Sequence, residues 1–128
     1  MHKPFPPAVP EIPVTDMNAA LDYYRACLGF TVDWGDGDSG ISGVSRGHCR
    51  LFLTDSSFRA EQRNSSPVVI WLNCESNDEV DAQHAEWKLR GVTITSAPES
   101  KPWKLYEFTA ADEDANVFRV FYDFSRDV

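Results

Sequence analysis

A helix, a glycine and a strand follow one another twice in this chain, and this repeat constrains the fold more than any other feature. In the first copy Asp16 can cap the helix by accepting hydrogen bonds from its first free amides. Gly29 can take the left-handed conformation that ends a helix, so a strand is predicted directly after it, at 30–34. Four apolar residues between them recur at the spacing of one helical face: Met17, Leu21, Tyr24 and Leu28.

The second copy lies 62 residues further along the chain, where Asp78 aligns with Asp16 and Gly91 aligns with Gly29. We therefore expect a second helix from Asp78 to Arg90. A repeated unit of this kind indicates a duplicated supersecondary module. At 128 residues the chain can bury one core, so we expect one composite domain rather than two independent ones.

Strand patterns around the two helices complete the modules. Each half is predicted to be βαβββ, with the first module at 8–54, the second at 67–125 and a polar linker at 55–66 between them. In the strand after the first helix Phe30, Val32 and Trp34 alternate in the manner of a half-buried strand. The predicted fold class is therefore α+β.

The first strand contains Pro10 and Pro13, which suit a strand at a sheet edge or one exchanged between subunits. An isolated strand of this kind is a simple element for two identical chains to exchange, so we expect a symmetric, strand-exchanged homodimer. The grooves of such a dimer would be built across both chains.

Composition excludes several classes of partner. A formal net charge of −8 and a pI near 4.7 repel nucleic-acid phosphates and anionic membranes and favour cationic partners. The opening MHKPFPP has no apolar segment of the signal-peptide kind, so a cytoplasmic protein is expected. The three cysteines, without CxxC spacing, are interpreted as reduced packing residues: Cys27, Cys49 and Cys74.

Several segments, in order, resemble one family. PAVPEIPVTDMNAALDYYRACLGF, VVIWLN, PWKLYEF and DEDANVFRVF are similar to the vicinal oxygen chelate superfamily, and within it most similar to the bleomycin resistance proteins. The resemblance implies paired βαβββ modules that curl into a groove, usually in dimers that exchange strands. Enzymes of the superfamily hold a divalent metal in that groove with His, Gln or Glu side chains.

The positions that match the family's metal ligands do not carry metal ligands here. Val9 stands where such enzymes have a histidine, Arg119 stands where they have a glutamate, and the other two positions fall near Phe52 and on Ile70 or Trp71. An aliphatic side chain cannot coordinate and an arginine repels a cation, so no metal, no cofactor and no catalytic residue are expected.

The remaining groove residues are aromatic and charged, a combination that suits a planar cation. The alternative for Phe52 and Trp71 is an ordinary core position. The run after Trp103 has Lys104 and Tyr106 where family members usually have glycine and arginine, and the loop at 35–41 lacks an aromatic residue, so a different ligand is an open alternative. The candidate ligand-binding residues are Asp33, Trp34, Phe52, Trp71, Trp103, Tyr106, Glu107 and Arg119.

Two functions follow from this residue set. The first is sequestration of a bleomycin-type cationic antibiotic without any chemistry. The second is a metabolite-binding protein or metal-independent enzyme in which Arg119 holds an anionic small molecule. If Glu107 or Asp123 on a neighbouring strand neutralises Arg119, the anionic ligand loses its anchor.

Overall fold

Two βαβββ modules follow one another along the chain, as the repeat predicts. The computed structural model describes residues 2–59 and 66–127. The first module consists of β1 (Glu11–Pro13), α1 (Met17–Ala26), β2 (Thr31–Trp34), β3 (Ile41–Arg46) and β4 (Cys49–Thr54). The second consists of β5 (Val69–Asn73), α2 (Asn77–Leu89), β6 (Thr93–Ser100), β7 (Leu105–Ala111) and β8 (Val117–Asp123), followed by a short 3-10 turn at Phe124–Arg126.

Each module forms its own four-stranded sheet, and the strand order is the same in both. The orders are β1-β4-β3-β2 and β5-β8-β7-β6. The first strand of each module pairs in parallel with the last, and the other neighbours are antiparallel. This repetition confirms the predicted α+β fold of two modules.

The two helices begin with different caps. Asp16 Oδ1 accepts a hydrogen bond from Ala19 N at 3.1 Å, as predicted for α1. In α2 the cap is Ser76, whose Oγ accepts from Glu79 N at 3.1 Å, so the helix begins at Asn77, one residue before its predicted start at Asp78. Asp78, which aligns with the cap of the first helix, therefore lies inside the first turn of α2.

A bulge in β2 reverses the expected direction of Trp34. Val32 pairs with Val44 and Trp34 pairs with Gly43, with a register shift between them. Val32 packs on the core, whereas 41% of Trp34 is exposed, so the two side chains do not share the face that simple alternation predicts. The extra residue, Asp33, changes which side of the sheet the tryptophan occupies.

Strand β1 pairs with β4 of the same chain, with Glu11 beside Phe52 and Pro13 beside Thr54. Its exchange between two subunits remains a prediction. The predicted linker begins with a turn in which Asp55 Oδ1 accepts from Ser57 N at 3.0 Å. The rest of the linker, at 60–65, lies outside the described residues.

The two modules share one hydrophobic core, because both helices contact residues of both modules. Tyr24 of α1 packs edge to face on Phe118 of β8, with ring centroids 6.0 Å apart. Trp87 of α2 donates its indole N–H to the carbonyl oxygen of Leu28 at 3.2 Å. Each sheet therefore turns its helix side toward this core and its other side outward.

The turn between β7 and β8 joins the modules with hydrogen bonds. Asn116, fully buried, donates to the carbonyl oxygen of Pro13 at 2.8 Å and accepts from Val68 N at 3.0 Å. Tyr24 Oη donates to Asp112 Oδ2 at 2.7 Å in the same cluster. The DEDANV segment is thus a structural turn that holds the first strand of each module.

No helix in the described part of the chain has the length and apolar character needed to cross a membrane.

Candidate functional site

The sides of the two sheets that point away from the shared core carry the candidate site residues Trp34, Phe52, Trp71, Glu107 and Arg119. We call the side of the first sheet that carries Trp34 and Phe52 the first outer face, and the side of the second sheet that carries Trp71 and Arg119 the second outer face. Both faces are exposed in the single chain.

The first outer face carries two aromatic side chains in contact, Trp34 and Phe52, and the Trp34 indole lies against Gly43. Trp34 and Phe52 meet edge to face with ring centroids 5.2 Å apart. A Cβ on Gly43 would lie 2.4 Å from Trp34 Nε1, so only glycine lets the indole lie flat on β3. The guanidinium of Arg50 lies 5.7 Å from the Phe52 ring centroid, and Glu11 Oε2 accepts from Thr54 Oγ1 at 3.1 Å.

The second outer face is built around an ion pair. Arg119 on β8 donates through its Nη2 to Glu107 Oε1 on β7. The guanidinium carbon of Arg119 also lies 4.7 Å from the centroid of the Trp71 ring. Trp71 in turn meets Phe121 edge to face at 5.5 Å, which leaves 48% of the tryptophan exposed. A cation already covers part of the indole, and an acid already neutralises that cation.

Because Glu107 is fully buried, it stays paired with Arg119, and the two charges of the second outer face cancel. Glu107 has 0% of its surface exposed, and the side chain of Arg119 retains 30%. A carboxylate removed from water is stabilised only if its partner stays in place. Among the described residues the second carboxylate oxygen, Glu107 Oε2, and the Arg119 Nε have no hydrogen-bond partner, so the ion pair is joined through Glu107 Oε1 and Arg119 Nη2 alone.

Trp103 lies in the turn that connects β6 and β7, with 54% of its surface exposed. Lys104 holds this turn with a positive φ of 71° and donates its N–H to the carbonyl oxygen of Lys101 at 3.0 Å. The ammonium of Lys101 lies 6.0 Å from the Trp103 ring centroid. Trp103 therefore belongs to the second sheet, whereas Trp34 belongs to the first.

Two predicted site residues have partners of their own. Tyr106 Oη donates to Asp81 Oδ1 of α2 at 2.6 Å, so its side chain lies on the helix side of the sheet, away from Glu107. This hydrogen bond to a carboxylate raises the pKa of Tyr106 to about 12. Asp33 Oδ1, at the β2 bulge, accepts from Ser45 Oγ at 3.1 Å. The structure thus brings together Trp34 with Phe52, and Trp71 with Glu107 and Arg119.

Sequence reasoning missed Gly43 and Phe121, which support the aromatic residues of the two faces. A glycine inside the predicted strand ISGVS was the available signal for the first, because such a glycine marks close approach of another group. Phe121 alternates with Arg119 along β8, so strand periodicity places both on one face once β8 is recognised.

The donor set does not fit a divalent metal. Within 2–59 and 66–127, no three His, Cys, Asp or Glu side chains lie close enough to hold an ion together. Of the positions that match family ligands, Phe52 packs on Trp34 and Arg119 is paired with Glu107. Neither a benzyl side chain nor a guanidinium supplies a lone pair to a metal.

Comparison with known proteins places the chain in a family. Residues 8–120 match the Glyoxalase/Bleomycin resistance protein/Dioxygenase superfamily, and the chain belongs to that superfamily. Among proteins of curated function, none is similar enough in sequence to count as a match.

Solved structures show the same fold at low sequence identity. A glyoxalase/bleomycin resistance protein/dioxygenase from Nocardioides is 18% identical, with a TM-score of 0.77 over 94% of this chain and 85% of that one. A lactoylglutathione lyase from Agrobacterium tumefaciens is 15% identical, with a TM-score of 0.76 over 98% and 100% of the two chains. TioX from Micromonospora sp. ML1 is 14% identical, with a TM-score of 0.76 over 92% and 99%.

Proposed function

We propose that this chain is a metal-free small-molecule-binding protein that holds a flat, positively charged ligand of the bleomycin type without altering it. The observation that carries the proposal is the buried pair of Arg119 and Glu107. In this pair Glu107 neutralises the positive charge of Arg119 that an anionic ligand would need, and Arg119 occupies a position where enzymes of the superfamily have a metal ligand. The alternative, an anionic metabolite held by Arg119 or a metal-independent reaction on it, is disfavoured for the same reason.

Exposed indoles supply the contact surface for such a ligand. Trp34, Trp71 and Trp103 are each at least 41% exposed, although tryptophan is a residue that proteins usually bury. Stacking on one ring face contributes about 1 kcal/mol beyond the area buried. The chain's charge of −8 would mainly raise the association rate and make affinity fall with salt.

We propose further that the groove forms between two copies of the chain. The two outer faces belong to different sheets, and each turns away from the shared core. A ligand stacked between Trp34 and Trp103 therefore needs the first face of one chain opposite the second face of another. Light scattering at micromolar concentration should give twice the chain mass of 14.4 kDa, and a monomer alone would contradict this arrangement.

The test of function is a binding screen by thermal shift and intrinsic tryptophan fluorescence. The panel contains bleomycin, phleomycin and mitomycin on one side and anionic metabolites on the other. We expect saturable quenching by the cationic glycopeptides, weaker at high salt and weaker in Trp103→Ala. Phe58→Ala, which removes an exposed aromatic residue that is not a candidate, is the matched control and should leave binding unchanged.

Two outcomes would overturn the proposal. Stabilisation by anions alone would favour the metabolite-binding alternative. About one zinc, nickel, manganese or iron per chain, measured on protein purified without chelator, would restore a metal-dependent enzyme.

A further inference from the structure

A cavity between the two modules, which we call the seam cavity, shares only Trp71 with the outer-face residues just described. Its volume is about 560 Å³, and it opens where the β3–β4 hairpin end meets α2 and β5. Small-molecule sites usually measure about 300–1,000 Å³. Glu107 and Arg119 do not line it, and Trp71 is the one candidate site residue that borders it. Its apolar wall consists of Phe30, Leu72, Trp87 and Val120.

The positive charge at this cavity is already neutralised. Arg46 donates to Glu86 Oε2 at 3.0 Å and to the carbonyl oxygen of Leu28 at 3.0 Å. Gln83 Nε2 donates to the same Glu86 oxygen at 2.9 Å, and this hydrogen bond, together with Arg46, lowers the pKa of Glu86. Arg46 and Glu86 therefore add no net charge to the rim.

One negative charge remains. Glu79, in the first turn of α2, lines the cavity, and its carboxylate has no hydrogen-bond or ion-pair partner within the described ranges. Asn73 lines the same rim and offers an amide oxygen as a further acceptor. The arrangement is an apolar wall of two aromatic and two aliphatic side chains beside a single unpaired acid.

We propose that this seam cavity is a second binding site, for a small molecule with an aromatic or aliphatic ring and one ammonium group. The ring packs on the wall formed by Phe30 and Trp87, and the ammonium lies toward Glu79 and Asn73. Burial of the ring supplies most of the affinity, and Glu79 selects for positive charge. This site does not depend on the function proposed for the outer faces.

The three thiols of the chain provide an internal comparison for the test. Cys49 and Cys74 line the cavity, Cys27 does not, and all three are half-buried. Burial raises the pKa of both cavity thiols, so alkylation by iodoacetamide is followed at pH 8.5. Peptide mass spectrometry then gives a separate rate for each cysteine.

The probe is 2-phenylethylamine, with 3-phenylpropionate as the anion of similar size. At ten times its dissociation constant the amine should slow alkylation of Cys49 and Cys74 by up to about tenfold. Cys27 should react at an unchanged rate. Equal protection by the anion, or equal protection of Cys27, would overturn the proposal, because neither reports a cation in this cavity.

A pair of adjacent variants tests the role of the acid. Glu79→Gln should weaken protection by the amine about two- to fivefold, the range expected for an exposed ion pair. Asp78→Asn changes a neighbouring acid of the same helical turn that does not line the cavity, and should have no effect. Both residues are exposed, and thermal unfolding checks that both variants fold.

Two further results would also contradict the proposal. Unchanged protection in Glu79→Gln would show that the cavity does not select for charge. Protection that appears without the probe and grows with protein concentration would show that a second copy of the chain covers the cavity.

Discussion

A row of four residues crosses each sheet at equivalent positions, and the two rows differ in chemistry although each contains a tryptophan. Each row starts five residues before a helix cap, at Glu11 in the first module and Trp71 in the second. The first row reads Glu11, Phe52, Gly43 and Trp34. The second reads Trp71, Arg119, Thr109 and Ser96.

The helix sides of the same strands have stayed alike, because both serve one core. Leu51 and Leu53 on β4 correspond to Phe118 and Val120 on β8, and all four are buried. Close packing limits change on that side of each sheet. The outer rows have no such limit, so the duplicated fold could keep its core while one row acquired the Trp34–Phe52 pair and the other acquired an arginine that pairs with Glu107 beside the row.

The largest effect should come from breaking the ion pair between Arg119 of the second row and Glu107 beside it. Arg119→Met leaves the fully buried Glu107 without its cation, and we expect a loss of about 3–5 kcal/mol in the free energy of unfolding. The measurement is urea denaturation. Glu11→Gln is the matched change in the first row and should cost less than about 1 kcal/mol, because Glu11 is exposed.

The double variant Glu107→Leu with Arg119→Met separates a lost interaction from an uncompensated charge. Replacing both ions with apolar groups of similar size should recover most of the stability. If the double variant is as unstable as Arg119→Met, packing rather than charge is the main cause.

Asn116→Ala tests the turn between β7 and β8, in which Asn116 of the second module donates a hydrogen bond to Pro13 of the first. The substitution leaves the part-buried N–H of Val68 and the carbonyl oxygen of Pro13 without these partners, which should cost about 2–4 kcal/mol. Asn77→Ala, at an exposed asparagine, is the control for the measurement by thermal and urea unfolding. A loss below about 1 kcal/mol would show that this turn does not hold the two modules together.

Gly43→Ala should affect the first row alone. The added methyl group displaces the Trp34 ring and costs about 1–2 kcal/mol, with a change in tryptophan emission. Thr109→Ala is the equivalent change in the second row and removes the contacts of Thr109 Oγ1 with Thr95 Oγ1 and with Ser96 Oγ, both at 2.6 Å. Similar emission changes in both variants would mean that Trp34 does not depend on the glycine.

The smallest effect concerns pH and the hydrogen bond from Tyr106 to Asp81. The pKa of Tyr106 is raised to about 12 from an ordinary value of 10.0, so this hydrogen bond stabilises the folded state fully below pH 10. The stabilisation of the folded state should be lost as the pH rises toward 12. Tyr106→Phe should cost about 1 kcal/mol at pH 9 in urea denaturation and progressively less above pH 10. A constant difference across this range would assign the effect to packing.

The sequence predicts the repeated elements well because they follow from local patterns. The stripe from Met17 to Leu28 and the glycines at 29 and 91 define the helices, and both glycines have positive φ values. The bulge at Asp33 depends on pairing with β3, which local alternation does not contain. The side on which Trp34 lies could therefore not be read from the strand alone.

The candidate site divides in the same way. Pairing of Arg119 with Glu107 follows once β7 and β8 are in register, so the sequence could name Glu107 as an alternative partner. The bond of Tyr106 to Asp81 joins a strand to a helix 25 residues away and depends on their packing. The seam cavity depends on how the two modules meet, which no single segment of the sequence determines.

The position of Tyr24 bears on how such a chain arose. Tyr24 belongs to the first module, yet it packs on Phe118 and donates to Asp112 in the second. A polypeptide of half this length would leave that helix surface in water, so it would fold only by associating with another copy of itself. Joining two such halves in one gene makes the association intramolecular. Each half of the fused gene can then accumulate its own substitutions.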